Sequence, residues 1–245
     1  MHMVYLYFRN QFKASKNGLR QLILIHIFSF LFLFLLDTAC YICGCKDYFL
    51  WLYRQLTFPS LYPLLLQRPW TIITYSFIHK GFIDLFWDIF ILYIFAQSIP
   101  AIVRSKHMFR LYSLGQIVGA VVFGILYHFS PPFKGIATDL TGPSAAIYAI
   151  MAAVCVSMPH LRLYCFFFSL PLRYIALALL LIPLFHLRHL PTQYAGAYLA
   201  QLAGALVGYV YGKLCKNDMD MNQSFFSTHT HGIHRTHMSV KVTKQ

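Results

Sequence analysis

From Leu22 to Cys43 the chain runs through an apolar stretch whose only carboxylate is Asp37. That is enough to carry a helix across a bilayer, which takes roughly 20 residues. A stretch of this kind excludes an ordinary water-soluble domain. It is also too long for the core of a cleaved signal peptide, and the chain beyond it is equally apolar. The preceding Arg9, Lys13, Lys16 and Arg20 make it a signal-anchor, with residues 1–21 as a basic segment on the cytoplasmic side.

Composition extends the constraint to the whole chain: 58% of the 245 residues are hydrophobic and 11% charged. That leaves room for about six spans plus loops. The second apolar run, Phe82 to Ile99, stops at Pro100, and the third covers Leu111 to Phe129 with Gly115, Gly119 and Gly124. A short fourth run, Gly142 to Met158, is closed by Pro159; the fifth, Tyr174 to Leu187, contains Pro183, a candidate kink. In the sixth, Tyr194 to Leu214, small residues recur every four positions at Gly196, Ala200, Gly204, Gly208 and Gly212. Such a stripe lets another helix approach backbone to backbone. The predicted fold is all-α, a six-transmembrane-helix bundle over 22–214, with a polar tail at 215–245.

Between the first two runs, Lys46 to Gly81 is dense in aromatics, and Phe49, Leu52, Tyr53 and Leu56 fall at helical spacing. This predicts a long first loop held in the membrane interface, with a short helix lying flat. Cys40, Cys43 and Cys45 sit at the loop's start; three clustered thiols make a poor metal or redox site and read as interface cysteines. The tail histidines His229, His231, His234 and His237 read as part of a disordered tail.

The net charge of +13 comes from basic residues scattered among apolar runs, which excludes nucleic acid as the partner. With the N-terminus inside, fourteen of the 20 Lys and Arg residues fall on the cytoplasmic side and six outside. Both termini are therefore expected in the cytoplasm, with the aromatic loop on the outer face.

Two features look chemical. Asp84 and Asp88, at i and i+4 in the second run, share a helix face. An ionised Asp within a span costs a few kcal/mol, so the pair either faces a polar interior or Asp84 lies solvated at the interface. The second feature is Thr141-Gly142-Pro143-Ser144, which puts a serine where a polar loop turns into an apolar helix. Tyr148 follows one turn later on the same face.

These residues resemble a known family, the rhomboid intramembrane serine proteases, over roughly Arg68 to Lys213. Arg68-Pro69-Trp70-Thr71 resembles the family's first-loop Trp-Arg element with Thr71 in place of Arg, and Phe77 to Phe82, including His79, matches the approach to the second span. Gly142-Pro143-Ser144-Ala145 with Tyr148 matches the nucleophile motif and the tyrosine that packs on the catalytic imidazole. Ala200-Gln201-Leu202-Ala203-Gly204 stands where the family has Ala-His-Leu-Gly-Gly.

The resemblance implies a nucleophile position at Ser144, with Gly142 and Tyr148 supporting it. It also implies a polar oxyanion cluster at His79, Asp84 and Asp88, and helix packing by Gly196, Gly204, Gly208 and Gly212. No metal ligand and no cofactor is expected. Gln201 occupies the place of the base histidine, and an amide cannot take the serine proton. Asp84 and Asp88 replace the family's His and Asn, and a carboxylate there repels the developing oxyanion.

The expected function is a pseudoprotease of a multi-pass membrane protein, in a bacterial inner (plasma) membrane, that engages transmembrane segments of client proteins. The alternative is an intramembrane serine endopeptidase in which Asp84 or Asp88 assists Ser144. A proton-coupled transporter built on the two Asp residues is a further alternative, weakened by the lack of inverted repeats. His186 and His189 are the remaining candidates for a base.

Overall fold

The structure, a computed structural model, describes residues 2–96, 105–159, 161–165, 168–189 and 191–214. The tail at 215–245, and the end of the second apolar run with Pro100, lie outside the described residues. Helix α1 (His2–Ile42) holds the first apolar run and continues unbroken through the basic segment, across position 21. The first loop then folds into α2 (Lys46–Leu56), strand β1 (Phe58–Pro59), α3 (Tyr62–Gln67), α4 (Thr71–Thr74) and a 3-10 turn (Tyr75–Phe77). Next come α5 (Phe82–Ala96), α6 (Ser105–Phe129), β2 (Asp139–Leu140), α7 (Ser144–Ser157), β3 (Arg162–Cys165), β4 (Phe168–Pro171) and α8 (Leu172–His189). A last helix, α9, spans 192–214.

Among the described residues, three stretches, Gly18–Ile42, Met108–Phe129 and Leu172–His189, are helical, long and apolar enough to cross a membrane. Their outward faces are apolar and exposed, with Phe28, Phe32 and Leu35 on α1 and Leu177, Leu181 and Phe185 on α8. In water such faces would drive aggregation, whereas against lipid tails they cost nothing.

Helix α7 is the axis of the bundle: every residue from Ala145 to Val154 is buried. Two small-residue stripes make this possible. A Cβ on Gly115 or Gly119 of α6 would stand 2.5 Å from Ala149 Cβ and 2.6 Å from Ala145 Cβ, respectively. On the α9 side, a Cβ on Gly204 would collide with the Ala145 carbonyl, one on Gly208 with the Ala149 carbonyl, and one on Gly212 would lie 2.8 Å from the Ala153 carbonyl. Ala145, Ala149 and Ala153, themselves four apart, thus meet the α9 stripe backbone to backbone. Gly196 does not join this contact; a Cβ there would run into the Tyr127 ring of α6.

The first loop is held by side chains that complete the C-terminus of α2. Its last carbonyls lack helical partners. Thr57 N–H makes the last helical bond, to Tyr53 O at 3.1 Å; beyond it Arg68 Nη1 donates to Arg54 O at 2.9 Å, Trp70 Nε1 to Gln55 O at 2.8 Å and Thr74 Oγ1 to Leu56 O at 2.8 Å. The Arg68-Pro69-Trp70 element therefore closes a helix end. Thr71, fully buried, donates to Arg68 O at 2.7 Å.

The all-α expectation needs one correction. Phe58 and Pro59 pair antiparallel with Leu140 and Asp139, and Arg162–Cys165 pairs with Phe168–Pro171. Phe58 and Pro59 are buried, and buried loop backbone must find partners for its polar groups. The β1–β2 ladder ties the aromatic loop to the approach to Ser144. Thr57 Oγ1 reinforces it by donating to Asp139 Oδ2 at 3.2 Å.

Candidate functional site

Ser144 opens α7, behind Pro143 at the N-cap. Gly142 before it has φ +91°, a left-handed conformation that side-chain-bearing residues rarely adopt. Its N–H donates to Tyr75 O at 3.0 Å, pinning the turn to the first loop. Tyr75 is in turn buried, with its hydroxyl donating to Gln116 O of α6 at 2.8 Å. The Gln116 side-chain amide donates back to the Ile72 and Ile73 carbonyls. Loop, α6 and the serine turn form one hydrogen-bonded block.

Opposite the serine stands Gln201 of α9, whose Nε2 donates to Ser144 Oγ at 3.2 Å. The close α7–α9 contact at Gly204 brings these two side chains together across 57 positions of sequence. The residue that the resemblance sets at the base position therefore meets Ser144, as an amide donor.

Tyr148 is buried, and its hydroxyl donates to Leu179 O of α8 at 3.0 Å. His186 and His189 are engaged on their own helix. His186 Nδ1 lies 2.9 Å from Ile182 O and its ring stacks on Tyr198 at 5.1 Å; His189 Nδ1 lies 2.9 Å from Phe185 O.

The two aspartates have different surroundings. Asp88 is buried, whereas the Asp84 side chain is 48% exposed and accepts from Lys80 N–H at 3.2 Å, in the first turn of α5. The solvated alternative thus holds for Asp84 and the interior one for Asp88. His79 brings them together: its Nδ1 lies 3.4 Å from Asp88 Oδ2 and 3.9 Å from Asp84 Oδ2. Asp88 Oδ2 is also 3.8 Å from where a Cβ on Gly142 would sit, so this cluster adjoins the serine turn.

Sequence reasoning missed how this cluster continues inward. His79 Nε2 lies 3.2 Å from His26 Nδ1, His26 Nε2 lies 3.0 Å from Tyr112 Oη, and Tyr112 Oη lies 3.1 Å from Ser76 Oγ. All four are buried. A histidine in the middle of an apolar run was the available signal, since an ionisable residue in a span needs a polar partner. In the loop, burial pushes the Asp139 carboxyl up, while the Thr57 hydroxyl and the nearby Arg54, Arg68 and Lys80 charges pull the other way.

A family model described as Rhomboid domain matches residues 66–217, more than half of the chain. The chain belongs to the rhomboid family. No curated protein matches it. Within the rhomboid match lie both the serine turn and Gln201, together with His79, Asp84 and Asp88. His26, on α1, falls before it, so part of the polar chain is built by a helix outside the matched domain.

Proposed function

We propose that this rhomboid-family protein is a pseudoprotease that engages transmembrane segments of client proteins without cutting them. One observation carries the reading: Gln201 Nε2 donates to Ser144 Oγ at 3.2 Å, where a protease of this kind needs an acceptor for the serine proton. An amide nitrogen has no available lone pair, and removing the base from such a dyad costs several orders of magnitude in rate. The neighbouring charge supports the same conclusion. Asp88 borders the Gly142 turn, where a negative group opposes an oxyanion.

The membrane reading that goes with this function is six spans. The three long apolar helices are joined in it by α5, α7 and α9, with α7 kept short and enclosed. Both termini lie in the cytoplasm by the distribution of Lys and Arg.

A second reading is a weak protease in which Asp88 assists Ser144, favoured by the closeness of Asp88 to the serine turn. A serine-directed fluorophosphonate separates the two. The pseudoprotease leaves Ser144 unlabelled while photo-crosslinking captures client transmembrane segments. Labelling of Ser144 with cleavage of a test transmembrane substrate, both abolished by Asp88→Ala, establishes the second reading instead.

A further inference from the structure

We infer that His79, Asp84 and Asp88 form a binding site for a divalent transition-metal cation such as Zn2+, at the N-terminal end of α5. One candidate ligand atom from each residue lies within 4.8 Å of the other two, and His79 Nδ1 is 3.4 and 3.9 Å from the two carboxylates. Bonds of about 2.1 Å put tetrahedral ligand atoms about 3.5 Å apart, so small carboxylate rotations close the set.

An acidic pair alone would not carry this. The second observation is His79: its side chain is fully buried, and its Nδ1 faces both carboxylates at ion-pair distance, 3.4 and 3.9 Å, with no well-formed hydrogen bond to either. A buried ring nitrogen without a hydrogen bond costs free energy unless something else occupies its lone pair. A cation seated between that lone pair and two carboxylates satisfies all three groups at once.

The surroundings are those of a ligating histidine. Metal-bound imidazole directs its other nitrogen to a hydrogen-bond partner, which fixes the tautomer. Here His79 Nε2 faces His26 Nδ1 at 3.2 Å, and the chain runs on to Tyr112 and Ser76. Lys80 N–H holds Asp84 Oδ2 at 3.2 Å. The half-exposed Asp84 gives the ion an access path and leaves room for water to complete its shell. The imidazole favours Zn2+ over Mg2+ or Ca2+, which prefer all-oxygen shells. The inference stands apart from whether Ser144 is a nucleophile, since Ser144 is no ligand.

The test is Zn2+ binding by the full-length chain in nanodiscs, read as metal retained per protein after equilibrium dialysis against excess Mg2+. Histidine is a common zinc ligand, so the tail residues His229, His231, His234 and His237 are first changed to Ala. One Zn2+ per chain is expected. Asp84→Asn, at a half-exposed position that keeps its shape and leaves folding intact, is expected to weaken it at least about tenfold, and Asp88→Asn likewise. Zn2+ should also raise the melting temperature of the parent and not of Asp84→Asn. No bound Zn2+ in the tail-substituted chain, or binding in both Asn variants as tight as in their parent, overturns the site.

Discussion

The Tyr148 hydroxyl donates to the Leu179 carbonyl, the one carbonyl of α8 that Pro183 leaves without its helical donor. Proline has no N–H, so the carbonyl four residues earlier is orphaned inside the helix. A tyrosine from the serine helix satisfies it. Tyr148 thereby secures α8 to the serine helix.

Tyr148→Phe should therefore destabilise the fold by about 1–3 kcal/mol, the cost of leaving a buried carbonyl unsatisfied. In a Pro183→Ala background the helix supplies its own donor, and the cost should fall well below that. Unfolding of the four proteins of this cycle in detergent gives the coupling directly. Equal costs in both backgrounds would mean that the hydroxyl is not serving Leu179.

Gly204 and Gly208 are where α9 touches the α7 backbone, so a side chain at either must drive the helices apart. Gly204→Ala or Gly208→Ala should cost about 1–3 kcal/mol, and the Leu variants more. Ser144→Ala should cost less than about 1 kcal/mol, since it loses one part-buried hydrogen bond. Gly81→Ala, with open space around it, is the control and should fall within about 0.5 kcal/mol of the parent. Comparable losses at Gly204 and Gly81 would mean that the stripe faces lipid.

Gln201→His places an imidazole within hydrogen-bond reach of Ser144, where the amide now lies. Alone it should yield only weak fluorophosphonate labelling, because Asp88 still borders the serine turn. Adding Asp84→His and Asp88→Asn should raise labelling clearly, by at least about tenfold. No labelling in the triple variant would show that the scaffold no longer aims Ser144 for attack.

Asp139 yields a pH prediction. Its carboxyl is shifted upward in the folded chain, chiefly by burial, so the folded state holds the proton more tightly than the unfolded state does. Its contribution to stability is complete below the ordinary carboxylate range, near pH 4, and is lost as pH rises through the shifted value. Asp139→Asn keeps an acceptor for Thr57 and should flatten that slope. A stability profile unchanged by the substitution would place the slope elsewhere.

Much of the fold is legible in the chain as written. The apolar runs mark the helices, the aromatic loop announces α2, and Gly142-Pro143 marks the start of the serine helix, because each of these rests on local chemistry and spacing. Gln201 is equally plain, since an amide can be read as no base without any coordinates. The sequence alone determined a rhomboid-type membrane domain with an amide, Gln201, where the resemblance expects a base histidine.

What remained closed was partnership. Periodicity says which face of α9 is bare, but not that Ala145, Ala149 and Ala153 would meet it, because any helix with small residues satisfies the same pattern. It showed nothing of His26 reaching His79 across 53 positions, or Tyr148 reaching Leu179 across 31. Nor could it separate Asp84 from Asp88, since residues at i and i+4 share a face while depth along the helix decides which meets water. Those contacts are set by how helices far apart in sequence dock, and only the tertiary structure decided them.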